Sequence, residues 1–219
     1  MRIHHRQNQL INFTQNTREY MPGMKRAAIG VRTHSGWGAL VVVSNADGAL
    51  EVIDRRRVVI TAPGTAGVKQ PYHFAENLEL PEAETFIGKC FRDSEHLAAS
   101  AIQPLLGELR DRRYRVVGSA ILQASGRPLP PLANILASHA LIHAAEGEFF
   151  RRAFRKAFEG LDLAVTGFRE RDLDECARAA FGTAASRIRQ QISTLGRILG
   201  PPWTQDQGHF EHQPQLGNR

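Results

Sequence analysis

Three β-type segments joined by two tight turns stand near the start of the chain and limit its folding most. Ala27 to Arg32 is short and apolar, Gly38 to Val43 is a β-branched run, and Glu51 to Thr61 alternates. The turns read THSGWG and SNADG, and Asp47-Gly48 in the second is a strong hairpin signal. Turns this short allow only an antiparallel meander. Its third strand carries Asp54, Arg55, Arg56 and Arg57, a charge load suited to a sheet edge.

Helix and strand patterns alternate after that. A long loop, 62–80, contains Pro63, Gly64, Gly67 and Pro71. Loops of this length inside a domain carry function or stay disordered. Pro81 with Glu82 and Glu84 makes a helical first turn. Phe86, Ile87, Cys90, Phe91, Leu97, Ile102, Leu105 and Leu109 follow at helical spacing, with a kink expected at Pro104. A strand is expected over Arg115 to Leu122, one long helix over about Leu132 to Phe158, and a fifth strand over Leu161 to Phe168. Asp172 and Glu175 are placed as a capping box. A last helix is expected from Thr183, with Ile188, Ile192, Leu195 and Leu199 on one face and Gly200-Pro201-Pro202 as its stop.

Residues 1–24 read as a polar arm and 204–219 as a disordered tail, leaving one α/β domain over 25–203. The order β-β-β-α-β-α-β-α predicts a mixed sheet with helices on its faces. This order, over about Lys25 to Pro202, resembles the ribonuclease H-like fold of many nucleases and, in duplicated form, of sugar kinases and actin-like ATPases. The segment GVRTHSGWG is also similar to one in a family of bacterial proteins of unassigned activity.

Composition narrows the class. With 219 residues, 42% hydrophobic and 23% charged, the chain is not collagen-like, a disulfide miniprotein or disordered throughout. Cys90 and Cys176 stand in no zinc-ligand spacing, which argues against a structural zinc or a disulfide framework. No apolar run approaches the roughly 20 residues of a membrane span, and the first residues lack a secretory apolar region. A cytoplasmic protein with no membrane partner is expected.

The net charge is +6, and residues 25–203 hold 24 of the 28 basic and 19 of the 22 acidic residues, so the charge belongs to the domain. Only Lys25, Lys69, Lys89 and Lys156 are lysines. Such arginine bias fits GC-rich codon usage or a phosphate-facing surface, since guanidinium pairs bidentately with phosphate.

Ligands of open sheets sit beyond the carboxyl ends of parallel strands. Four segments are therefore expected to converge: Thr33 to Trp37, the loop 62–76, Gln123 to Arg127, and Arg169 to Arg171. Within them His34, His73 and Glu170 are the candidate catalytic groups. Ser35, Gly36, Ser125, Arg127 and Arg169 are candidates for holding an anion. Glycine and proline in these turns are equally explained by turn chemistry, and lone histidines are often structural.

The nuclease branch of the resembled fold implies metal-holding carboxylates on the first strand, on the fourth strand or first helix, and on the last helix; neither the first nor the fourth strand carries an acid here. The kinase branch implies an aspartate before the first hairpin turn, where this chain has Arg32 and His34 instead. In the expected long helix, His139, His143 and Glu146 fall at i, i+4 and i+7, on one face with Leu132, Leu136, Phe150 and Phe154. They suit a divalent metal as cofactor, with His34 and His73 of the cleft loops available to complete the site, or a hydrogen-bonded network in the core or at a dimer interface.

The leading expectation is a strand-end cleft for a phosphorylated or anionic small molecule, served by a metal-dependent hydrolase or phosphotransferase. The alternative is a non-catalytic module that binds nucleic acid or forms a homodimer through the long helix. Arginine clusters at 110–115 and 151–156 would supply its charge.

Overall fold

Each expected strand forms, and β1 takes the centre. The computed structural model describes residues 23–46, 49–124 and 126–199. The expectations for residues 1–22, Asp47-Gly48, Ser125, Gly200-Pro201-Pro202 and the tail lie outside these. The strands are β1 (Lys25–His34), β2 (Trp37–Ala46), β3 (Ala49–Val59), β4 (Tyr114–Gln123) and β5 (Val165–Arg169), in the order β3-β2-β1-β4-β5. β2 is antiparallel to both β1 and β3, while β4 is parallel to β1 and β5 to β4. This is the ribonuclease H-like arrangement. The carboxyl ends of β1, β3, β4 and β5 consequently emerge at one end of the sheet.

β3 is the edge strand its charges suggested. Arg56 turns toward the helical layer and binds Asp54 at 2.6 Å and Glu108 at 2.9 Å, tying strand to helix. Those two carboxylates hold its guanidinium protonated well above the ordinary arginine range.

The helices on this sheet are α1 (Pro71–Ala75), α2 (Leu80–Asp111), α3 (Leu132–Leu136) and α4 (His139–Gly160). α2 continues through Pro104 as one α-helix. Three expectations need correction. The loop 62–80 contains α1, a helix too short for periodicity to reveal. Pro71 presets its first φ, and Gly67, at φ +76, lets Phe74 close over the preceding turn, where a Cβ would lie 2.4 Å from the ring. The expected helix over Leu132 to Phe158 is two helices. Ser138 is extended at φ −143, and its carbonyl accepts the Leu141 and Ile142 amides to start α4 afresh. β5 begins at Val165 rather than Leu161, because the Leu161, Asp162 and Leu163 amides turn back to close the end of α4.

The described residues form two compact units, divided between Cys176 and Ala177. At the end of the first, a 3-10 turn over Glu170–Asp172 leads into α5 (Leu173–Phe181), which runs across the division. Asp172, expected as a helix cap, takes the Arg169 guanidinium at 2.6 Å. The second unit has a 3-10 turn over Gly182–Ala184 and then α6 (Ala185–Leu199). No helix among the described residues is long and apolar enough to cross a membrane.

α2 and α4 cover one face of the sheet. Ala27, Ile29 and Val31 of β1, Leu40 and Val42 of β2 and Ile121 of β4 meet Ile102, Leu105 and Leu109 of α2 and Phe154 and Phe158 of α4 in one core. The approach is closest at Gly38, where an added Cβ would lie 2.6 Å from the Phe154 ring and 2.9 Å from Val31. Gly38→Ala therefore overpacks the core and should cost about 1–3 kcal/mol in denaturant unfolding. Gly30→Ala, whose Cβ meets nothing within 4 Å, should be neutral or stabilise by about 0.4–1 kcal/mol.

Burial also pushes the pKa of two core groups above its ordinary range, the Cys90 thiol and the Tyr72 phenol. Both are held neutral by the fold. The stability this contributes is complete below their ordinary values of 9.0 and 10.0 and is lost as pH rises through the raised ones. Unfolding free energy should therefore decline at alkaline pH, and Tyr72→Phe should flatten the upper part of that decline in a pH series of denaturation curves.

Candidate metal centre

α1 follows the end of β3, and α4 runs antiparallel to β4 and β5. The start of α4 thus lies with α1 at the end of the sheet where the parallel strands emerge. There His73 of α1 meets His139 and His143 of α4. One ring nitrogen from each lies within 4.8 Å of the others. The Nε2 atoms of His139 and His143 are 3.0 Å apart. The His73 ring centroid stands 5.5 Å from that of His139 and 4.8 Å from that of His143. Two ligands about 2.1 Å from a shared tetrahedral ion would stand about 3.4 Å apart, so small side-chain rotations suffice to converge on one ion.

Glu146 belongs to the group in a different way from that expected. It does not join the three nitrogens as a ligand but stands behind His73. Its Oε1 accepts the Tyr72 amide at 2.8 Å and the His73 amide at 3.1 Å, and lies 3.2 Å from His73 Nδ1. Gln70, at the start of α1, makes no side-chain cap. Pro71 has no N–H, so a carboxylate 73 residues away from His73 in sequence caps the first turn of α1. Glu146 is 8% exposed. Burial pushes its carboxyl up from the ordinary range, against the opposing pull of these hydrogen bonds. Its Oε2 is buried with no hydrogen-bond partner among the described residues.

The break at Ser138 explains the exposure of the histidine pair. The buried stripe of α4 is Ile142, Ala145, Glu146, Phe149, Phe150, Ala153, Phe154, Ala157 and Phe158. His139 and His143 sit on its first two turns and are exposed, while His73 is half-buried. Leu132 and Leu136, expected on this face through a continuous helix, pack against the same core from the separate helix α3.

His34 ends β1 and Arg169 ends β5, with Ser35 and Gly36 following the first and Glu170 the second. Alternation along β1 directs Ala27, Ile29 and Val31 to the helices, and Arg32 and His34 to the opposite face. His34 stacks on Trp37 with ring centroids 4.1 Å apart, and the Arg57 guanidinium lies 4.0 Å from the Trp37 ring centroid. Gly36, at φ +83, makes the tight turn, and its carbonyl accepts the Ile60 amide at 2.9 Å. Its neighbour Ser35 is exposed in that turn. Glu170 reaches Arg32 at 3.7 Å, linking the ends of β5 and β1, and both side chains are exposed. Arg169 is held by Asp172. Arg127 is exposed, and Ser125 lies outside the described residues.

The arginine clusters have local partners. Arg112 donates to the Ile53 carbonyl at 3.2 Å, Arg152 lies over the Phe91 ring, and Lys156 binds Glu159 at 3.0 Å. Sequence reading offered both His34 and His73 as completing a site with the α4 histidines; His73 meets them, while His34 stacks on Trp37. That reading missed Tyr72, whose amide helps fix Glu146, because no local pattern reports a cap supplied from another helix.

No family model matches the chain, and no curated protein matches it. Among solved structures it is similar to Thermus thermophilus RuvC, at TM-score 0.39 and 14% identity over 78% of each chain. It is also similar to T. thermophilus RuvC in complex with a Holliday junction substrate, at TM-score 0.39 and 13% identity over 71% of each chain. An Aquifex aeolicus member of the Ppx/GppA family gives TM-score 0.32 and 13% identity, over 69% of this chain and 36% of that one. These values are low, and the ribonuclease H-like class rests on the strand order itself.

Glu146→Ala should expose the cap it supplies. Leaving the Tyr72 and His73 amides without an acceptor should cost about 1–3 kcal/mol. Hydrogen exchange at those two amides should accelerate more than at the interior amides of α4.

Proposed function

We propose that the domain is a metal-dependent hydrolase of phosphorylated or otherwise anionic substrates, with His73, His139 and His143 holding the ion at the strand ends. The observation that carries this reading is the approach of three histidine nitrogens to within 4.8 Å from two separate helices. The strand-end position agrees with where open sheets bind ligands. The α4 amino terminus has no acidic residue in its first turn, so its partial positive charge also favours an anion. Three imidazoles add no negative charge, which leaves a bound divalent ion its full attraction for an anionic ester.

Such an ion supplies a polarised water whose pKa falls to about 7 and a Lewis acid for the phosphoryl oxygen. In the hydrolysis proposed, the water oxygen bonds to phosphorus, the ester P–O bond breaks, and the leaving oxygen takes up the proton the water gives up. This chain's part is to hold the ion with three imidazoles and to place the reacting ester beside the start of α4.

Zinc-loaded full chain should hydrolyse bis(p-nitrophenyl) phosphate or p-nitrophenyl phosphate faster than the His139→Ala, His143→Ala double variant, which should fall to the background rate. The double variant should also lose zinc by elemental analysis after dialysis. Equal rates in the two proteins would overturn the hydrolytic reading, and equal zinc content would overturn the centre itself.

A further inference from the structure

The two oxygens of Glu146 are used unequally. Oε1 receives two backbone amides and faces His73 Nδ1, while Oε2 is buried without a hydrogen-bond partner among the described residues. An oxygen that already accepts two N–H groups stays an acceptor toward the ring. His73 Nδ1 then carries the proton, and Nε2 is left as the lone-pair nitrogen. His139 and His143 approach one another through the same atom, Nε2. Among the described residues the cluster of ligand atoms contains only imidazoles, since Glu146 is turned to α1 and does not belong to it.

We infer that the centre is a tris-imidazole site for a borderline transition ion of the zinc class, and that Glu146 is its positioning residue, holding His73 in the Nδ1–H tautomer with Nε2 toward the ion. The inference rests on the metal-centre reading above and adds the class of ion and the residue that orders its ligands. Imidazole nitrogens suit zinc, cobalt, nickel and copper, whereas magnesium and calcium require oxygen ligands. A carboxylate behind a metal-binding histidine fixes its ring and tautomer, and losing such a partner typically costs about 10–100-fold in metal affinity. Because the same oxygen caps α1, the link that orders the ligand also holds the helix carrying it.

Cobalt titration followed by visible absorption, with zinc competition, tests the inference on the full chain. The wild type should bind one cobalt ion with ligand-field bands, zinc should displace it, and excess magnesium should not. Glu146→Ala removes the acceptor that faces His73 Nδ1, so affinity should drop about 10–100-fold in protein whose circular dichroism remains that of the folded chain. Affinity within twofold of wild type would overturn the positioning role and leave the metal centre standing. Magnesium competing on equal terms would overturn the ion class. No cobalt or zinc binding by the wild type would overturn the inference and the centre together. An independent measurement needs no variant: long-range nitrogen-15 correlation spectra of the metal-free wild type, recorded above the histidine titration range. His73 should be in the Nδ1–H tautomer, and the Nε2–H tautomer would overturn the proposal.

Discussion

One buried carboxylate organises the end of this molecule where chemistry is proposed. Glu146 lies within the apolar stripe of α4, among Ile142, Phe149 and Phe150, where an isolated charge would be strongly unfavourable. It is retained there by the Tyr72 and His73 amides, the two N–H groups that the first turn of α1 leaves unpaired. Neither partner is satisfactory alone. A five-residue helix without its own cap is marginal in water, and a carboxylate in an aromatic core needs donors. Joined, they fix α1 against α4 and bring His73 to the histidine pair.

The position of that pair follows from the packing beneath it. Phe154 and Phe158 seat α4 on the sheet, and Gly38 of β2 removes the side chain that would keep Phe154 away. His143 stands eleven residues, three helical turns, before Phe154, so a rigid helix carries the register set in the core out to the strand ends. The parallel course of β4 and β5 dictates which end of α4 arrives there. A sheet built for stability thereby sets the aim of exposed side chains that contribute little to it.

Elements whose signals are local were legible without a structure. The meander shows in the alternation of 51–61 and in the two short turns, and the charges of Asp54 to Arg57 mark β3 as an edge because they could not be buried on both sides. His139 and His143 were visible as an i, i+4 pair because helical periodicity is local. α1 was not visible, since five residues give no period. The break at Ser138 was hidden because 132–136 and 139–158 both read as helix. The shortened β5 was hidden because Leu161 and Leu163 look strand-like while their amides serve the end of α4. Among the expected site residues, His34 and Gly36 are engaged in the first hairpin turn, and Glu170 and Arg169 take part in ion pairs.

By itself the sequence determined the class of sheet, the order of its strands along the chain, the charged edge and the spacing of the α4 histidines. These depend on periodicity and turn chemistry within a few residues. Tertiary structure alone decided that His73, 66 residues from His139, and not His34, meets the α4 pair, and that Glu146 stands behind His73. Both outcomes depend on where two helices cross and which unpaired amides meet a buried carboxylate there. Sequence spacing records nothing of such a meeting, because the groups share no element and are brought together only when the core closes.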